Sequence, residues 1–148
     1  MADASRIIYR IIDKKINGIQ NEVTKRAYRA SNELRNSLIY VMRGDRHGRQ
    51  YRIPHTGKFY TASAPGEPPA IRTGAFRLSW GSRVRVEKNG TVLNASAQIE
   101  SNLKVGKYLL GELLEKGTSR MEARPYKQRV LDEAEPKIKA IYRRPYKV

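Results

Sequence analysis

Between Ile8 and Val41 the apolar or small residues step along the chain by 4, 4, 3, 4, 4, 3, 4, 4 and 3. They fall at Ile8, Ile12, Ile16, Ile19, Val23, Ala27, Ala30, Leu34, Leu38 and Val41. This eleven-residue repeat has about 3.67 residues per turn, so the stripe runs almost straight along one helix face. The pattern predicts a helix over residues 4–43. Asp3 or Ser5 is available to cap its start, and Gly44 suits the C′ position. Gly18 is a candidate kink. Such a helix spans roughly 55–60 Å, more than the diameter of a compact domain of this length. Part of the stripe is therefore expected to meet something outside its own domain. The alternative is that the stripe lies wholly across its own sheet.

Two hairpins follow. Over residues 49–62, Tyr51 and Ile53 alternate with Arg52, Pro54–Gly57 supplies a turn, and Phe59 and Thr61 alternate with Tyr60. Its faces are aromatic and basic, so it is expected to project from the core. In the second hairpin, Asn89-Gly90 reads as a two-residue type I′ turn. That register places Val86 opposite Leu93 and Val84 opposite Ala95 on an apolar face, with Arg85 opposite Asn94 and Arg83 opposite Ser96 on the other. Alanines at 95 and 97 leave room for a helix. Residues 99–106 read as loop. Lys107–Lys116 reads as a short helix ending at Gly117, with a strand as runner-up. A last helix follows Pro125 with Tyr126, Val130, Ala134, Ile138 and Ile141 on one stripe. Pro136 should kink or divide it. Arg143–Val148 reads as a loose basic tail.

Tyr60–Trp80 stands apart from these periodic segments. Pro65, Pro68 and Pro69 remove three backbone donors, which excludes a central strand and a helix interior. The segment reads as a stiff connection that ends with Thr73 as N-cap of a short helix over Ala75–Trp80. Long ordered connections in small domains are uncommon and often functional.

The chain has 148 residues, which fits one domain. It divides into a long helix (1–44), a projecting hairpin with the proline segment (45–72), sheet and helices (73–142) and the tail (143–148). The expected fold class is α+β: a long N-terminal helix and a C-terminal helix packed on a small antiparallel sheet, with a projecting hairpin. The chain lacks cysteine, and its longest apolar run is Leu38–Met42. This excludes disulfides, thiolate metal sites, a membrane-spanning helix and a signal-peptide core. The protein is expected to stay where it is made and to have no membrane partner.

The net charge of +16 invites a nucleic-acid reading. The excess is spread evenly, at +5, +6 and +5 over residues 1–43, 44–90 and 91–148, so no single basic element stands out. Candidate chemistry is equally sparse. His47 and His55 sit in turn-like contexts without metal spacing, and Asp132, Glu133 and Glu135 spread around one helix. No phosphate loop, nucleophile elbow or dinucleotide fingerprint occurs. The expectation is a protein without cofactor that acts through contacts and is not an enzyme. Nine tyrosines and many arginines suit interfaces and nucleic-acid surfaces alike.

Two segments carry a resemblance. The first is Ala64, Pro65, Gly66, Pro68 and Pro69, followed by Thr73, Gly74, Arg77 and Trp80. The second is Glu115, Gly117, Thr118, Met121, Arg124, Pro125 and Tyr126. In this order they resemble a signature of tailed-bacteriophage tail-completion or head–tail joining proteins, also described as minor tail or neck components. The likeness covers roughly residues 57–142. Lys116 stands where that family usually has an aromatic, which points to a more exposed turn. The resemblance implies a structural virion protein at the tail–neck junction, assembled in the host cytoplasm. It implies a ring of identical subunits, commonly a hexamer, that contacts neck, connector and tail-tube proteins. A basic lumen touching phage DNA non-specifically is compatible with that role. A basic nucleic-acid-binding module is the alternative.

The motif residues also have physical readings. Gly74 and Gly117 suit close backbone approach or positive φ. Arg124 can reach carbonyls or the Glu115 carboxylate. Both motifs either maintain the monomer fold or place the proline segment at a subunit interface.

Overall fold

The computed structural model describes residues 2–147; Met1 and Val148, the latter part of the expected tail, lie outside the described residues. The fold is α+β. Helix α1 runs unbroken over Ala2–Arg43, about 63 Å, and passes Gly18 without interruption. Strands β1 (Gln50–Arg52) and β2 (Phe59–Thr61) form the first hairpin. Helix α2 (Ala75–Leu78) leads into the long pair β3 (Trp80–Asn89) and β4 (Val92–Ser101). Strands β5 (Lys104–Val105) and β6 (Tyr108–Leu109) precede α3 (Leu110–Lys116) and α4 (Lys127–Arg143). Each sheet is an antiparallel pair of strands.

The core lies where the C-terminal half of α1 crosses α4 and the β3–β4 pair. Leu38, Met42, Tyr126 and Val130 form its centre, backed by Ile71, Phe76, Trp80, Ile99 and Leu114. Small residues let α1 and α4 close up: Ala27, Ala30 and Ala134 are fully buried. Helix α1 is also tied to the sheet by polar groups. Ser31 Oγ donates to the Gln98 carbonyl at 2.9 Å, and Arg35 Nε to the Trp80 carbonyl at 3.0 Å.

Several local expectations are corrected. In the second hairpin Val86 faces Ala95, Val84 faces Ala97 and Lys88 faces Leu93. The turn is Gly90-Thr91, with φ +59° at Gly90 and no positive φ at Asn89 or Thr91. These φ signs suit a II′ turn with glycine first, whereas a I′ turn needs positive φ at both central residues. Residues 99–101 extend β4, and β5–β6 occupies ground read as loop and helix, so α3 begins only at Leu110. Trp80 opens β3 and does not close α2.

The helix ends differ as well. Gly44 does not take a left-handed conformation. The end of α1 is closed by Arg46, whose guanidinium donates to the carbonyls of Val41 and Gly44 at 3.0 and 2.6 Å. Helix α4 continues through Pro136. The segment after α4 is not loose: it is docked on Arg26, a side chain with 2% of its surface exposed. Arg26 donates to the carbonyls of Tyr142, Arg144 and Pro145 at 3.3, 2.6 and 2.9 Å and pairs with Glu22 at 3.1 Å. The Tyr146 ring covers the same guanidinium, 3.8 Å from ring centroid to carbon. One buried arginine therefore satisfies an orphan carbonyl at the C-terminus of α4, where positive charge is favoured, and two carbonyls of the segment just beyond it.

Candidate assembly surface

The second motif builds the entry to α4. Glu115 on α3 reaches across the chain reversal and accepts from the amides of Tyr126 and Lys127 at 2.9 and 3.2 Å. Tyr126 offers no side-chain cap of its own, so a carboxylate from another helix does the capping, and it also suits the positive end of the dipole. Gly117 makes the reversal possible. Its φ of +77° and ψ of −178° lie in a region open essentially to glycine, and a Cβ there would sit 2.8 Å from Ala123 N and Met121 O. Thr118 and Met121 then pair across a tight turn, with Thr118 N donating to Met121 O at 2.7 Å. Lys116 is exposed, as its departure from the aromatic suggested, and pairs with Glu112.

Pro125 lies just before the cap residue of α4, and Tyr126 behind it enters the core. Its ring makes edge contacts with Phe76 and Trp80 at 5.8 and 5.9 Å. Its hydroxyl donates to the Gly111 carbonyl at 3.1 Å, and burial pushes the phenol pKa well up.

The first motif folds against this reversal. Pro68 and Pro69 are buried, while Pro65 and Gly66 are exposed and Ala64 is half-buried. Gly66 N donates to Ala123 O at 3.2 Å, and Arg129 Nη2 donates to Gly66 O at 3.0 Å. Glu67 fastens the other side, accepting from the amides of His47 and Ala64 at 3.0 and 2.8 Å and from the His47 ring. Those bonds hold its carboxyl near a pKa of about 2. The end cap Arg46 also reaches Pro69 O at 3.2 Å. The two motifs are thus joined directly, and part of their pattern is explained by the monomer fold. Arg46, Glu67 and Arg129 carry much of this fastening, and no spacing rule pointed to Arg46 or Arg129.

Gly74 is the cap residue of α2 at φ +84°. A Cβ there would meet nothing closer than 3.8 Å, so backbone conformation, and not close approach, selects glycine. Thr73 still contributes, its hydroxyl accepting from Ala75 N at 3.3 Å.

Between the two motifs lies a cavity of about 450 Å³. Thr73, Gly74, Arg77, Met121 and Arg124 line it, with Pro69 on another wall. Of the partners the sequence offers Arg124, carbonyls or the Glu115 carboxylate, Glu115 does not reach it. Glu115 is taken by the α4 amides, and Arg124 Nη1 is buried without a partner among the described residues.

Two further surfaces stand free of the core. Every residue from Asp3 to Asn17 is exposed. The stripe there remains open, with Ile8, Ile12, Ile16 and Ile19 at 57, 47, 40 and 41% exposure. The total accessible surface is 10857 Å², against roughly 7,700 Å² for a compact monomer of 17.0 kDa. The first hairpin, with Arg72 from the segment after it, carries the second surface, a ladder of Arg49, Tyr51, Tyr60 and Arg72. The two tyrosine rings stack at 5.9 Å, with Arg49 and Arg72 at 5.7 and 6.0 Å from their neighbouring rings.

Among the described residues no His, Cys, Asp and Glu group is placed to hold a metal, and no helix is long and apolar enough to cross a membrane. Glu133 and Glu135 pair with Lys137 and Lys139 on the outer face of α4, and Asp132 accepts from Gln128. No protein-family model, curated protein or solved structure matches the chain.

Proposed function

We propose that this chain is a structural protein of a tailed-bacteriophage virion that forms a ring at the tail–neck junction and completes or joins the tail. The observation that carries the reading is the exposed isoleucine stripe on the N-terminal half of α1. A helix of this length, carrying four isoleucines in one stripe that stays 40–57% exposed among the described residues, is built to be covered by another subunit. The surface excess fits the same role, because assembly proteins complete their burial in the particle. The resemblance of the two motifs supplies the phage context. In that setting the chain works by contact and not catalysis, and its neighbours are copies of itself and the neck and tail-tube proteins. Electron microscopy of the purified protein, alone and with tail or neck partners, should reveal rings or completed tails. A protein that stays monomeric and never joins particles would refute the proposal.

The arginine–tyrosine ladder favours a second reading, a basic nucleic-acid-binding module. Stacked aromatics flanked by guanidinium groups suit bases and phosphates. That reading requires tight binding to short oligonucleotides with steep loss as salt rises. Weak binding at physiological salt would exclude it.

A further inference from the structure

We propose that the cavity between the two motifs is a socket for an acidic, aliphatic segment of another polypeptide, with Arg124 receiving its carboxylate. The walls are apolar: Met42, Ile71, Phe76, Leu110, Leu114 and Met121 all face it. Its charged lining is of one sign. Arg72, Arg77 and Arg124 contribute to it, and no aspartate or glutamate does.

Arg124 makes the charge argument specific. A buried guanidinium nitrogen without an acceptor is costly, because hydrogen bonds to charged groups are among the stronger ones and desolvation is otherwise uncompensated. The carboxylate that sequence offers it, Glu115, is committed to the first amides of α4. An incoming carboxylate would complete Arg124 and offset one of the three positive charges that the site now concentrates.

The wall also favours a polypeptide over a small metabolite. Ala70, Ile71 and Arg72 line the cavity outside any helix or strand. Their amides donate to no backbone carbonyl among the described residues. Such a stretch can pair with the backbone of an extended segment, while the apolar floor takes its alternate side chains. The inference does not rest on ring formation, since the socket is complete within one subunit.

The test uses the full chain and three acetylated, amidated hexapeptides in which leucine alternates with glutamate, glutamine or lysine. Trp80 is the single tryptophan, and its ring lies 5.8 Å from that of Phe76 on the cavity wall, so its emission reports occupancy. The glutamate peptide should saturate the signal. The glutamine peptide should bind at least ~10-fold more weakly, as about 1.4 kcal/mol of charge-assisted bonding requires, and the lysine peptide should not bind. Arg124→Met should remove the preference for glutamate over glutamine while leaving the far-UV spectrum unchanged. If that variant fails to fold, the peptide series on the wild type still decides, with Arg77→Met as the second variant. Equal affinity for the glutamate and glutamine peptides, or no binding of the glutamate peptide at about 5 mM, overturns the proposal. So does self-association that Arg124→Met abolishes in a protein that ignores the peptide. Ring formation measured separately keeps the two readings distinguishable: rings without peptide binding sink only the socket.

Discussion

The double substitution Ile12→Glu, Ile16→Glu separates assembly from folding. Both side chains lie on the open stripe of α1, at 47 and 40% exposure, ahead of the first buried residue, Arg26. Full burial of an isoleucine is worth about 1.5–3 kcal/mol, so covering the open part of each supplies roughly half of that. The pair then contributes about 1.5–3 kcal/mol to each contact it joins, a ~10- to 150-fold change in association constant. Burying two unpaired glutamates deepens the loss. The monomer should hardly notice, because exposed substitutions away from the core stay within about 0.5 kcal/mol. Sedimentation velocity across a concentration series reads the first effect, and thermal unfolding of the dilute protein reads the second. Expected is assembly shifted by at least tenfold in concentration with an unchanged melting temperature. Assembly at the wild-type concentration would show that the stripe is not the contact. A large fall in melting temperature would show that it is part of the fold after all.

The fastening of the two motifs and of the segment after α4 gives four more expectations. Glu115→Ala should cost about 1–2 kcal/mol in urea unfolding, the value of a lost helix cap, and Glu115→Gln distinctly less because an acceptor remains. Gly74→Val should destabilise by ~2 kcal/mol or more, since a left-handed residue already costs an L-amino acid 1–2 kcal/mol. Gly74→Asn should be tolerated better, and equal losses for the two would contradict a conformational cause. Glu67 has a folded-state pKa of about 2 against an ordinary 4.5, so its contribution is present above pH 4.5 and is lost as pH falls through 2. The gap in urea midpoint between wild type and Glu67→Gln should therefore close over that window. Arg26→Met should release the segment after α4, seen as amide exchange at Tyr146 and Lys147 at least ~10-fold faster.

What the sequence discloses depends on how far its physical signals reach. The 4-4-3 stripe of α1 is a local periodicity, and it located the helix to within a residue or two. The β3–β4 hairpin is instructive because its turn was misplaced while its faces were not. The true register, Val86 opposite Ala95, differs from the expected one by two residues, and a shift of two keeps each side chain on its face. Leu93, Ala95 and Ala97 accordingly stay on the half-buried side. Long-range polar fastening was not legible. Arg26 meets carbonyls at 142, 144 and 145, and Arg46 meets one at 69. A backbone carbonyl carries no sequence signature. The same blindness explains why the sequence offers Glu115 to Arg124: the carboxylate is recognisable, but the donors it takes are two anonymous amides.

That pattern changes the meaning of the charge. Arg26, Arg35, Arg46 and Arg129 each donate to backbone carbonyls, and Arg83 and Arg85 pair with Glu100 and Glu87. A good part of the arginine content is therefore mortar between chain segments, with Arg26 and Arg46 closing the ends of α4 and α1. Phosphate would have to compete with those carbonyls for the same guanidinium groups. Two surfaces combine charge with rings or an apolar floor: the Arg49–Arg72 ladder beside the hairpin, and the cations around the socket, with Arg72 common to both. One faces outward on an exposed two-stranded sheet, where aromatic rings and charge together suit a polyanion. The other surrounds an apolar floor, where charge and shape together select a single carboxylate. The basic excess thus includes structural arginines and two small surfaces of different chemistry, and neither surface overlaps the isoleucine stripe through which copies of the chain would meet.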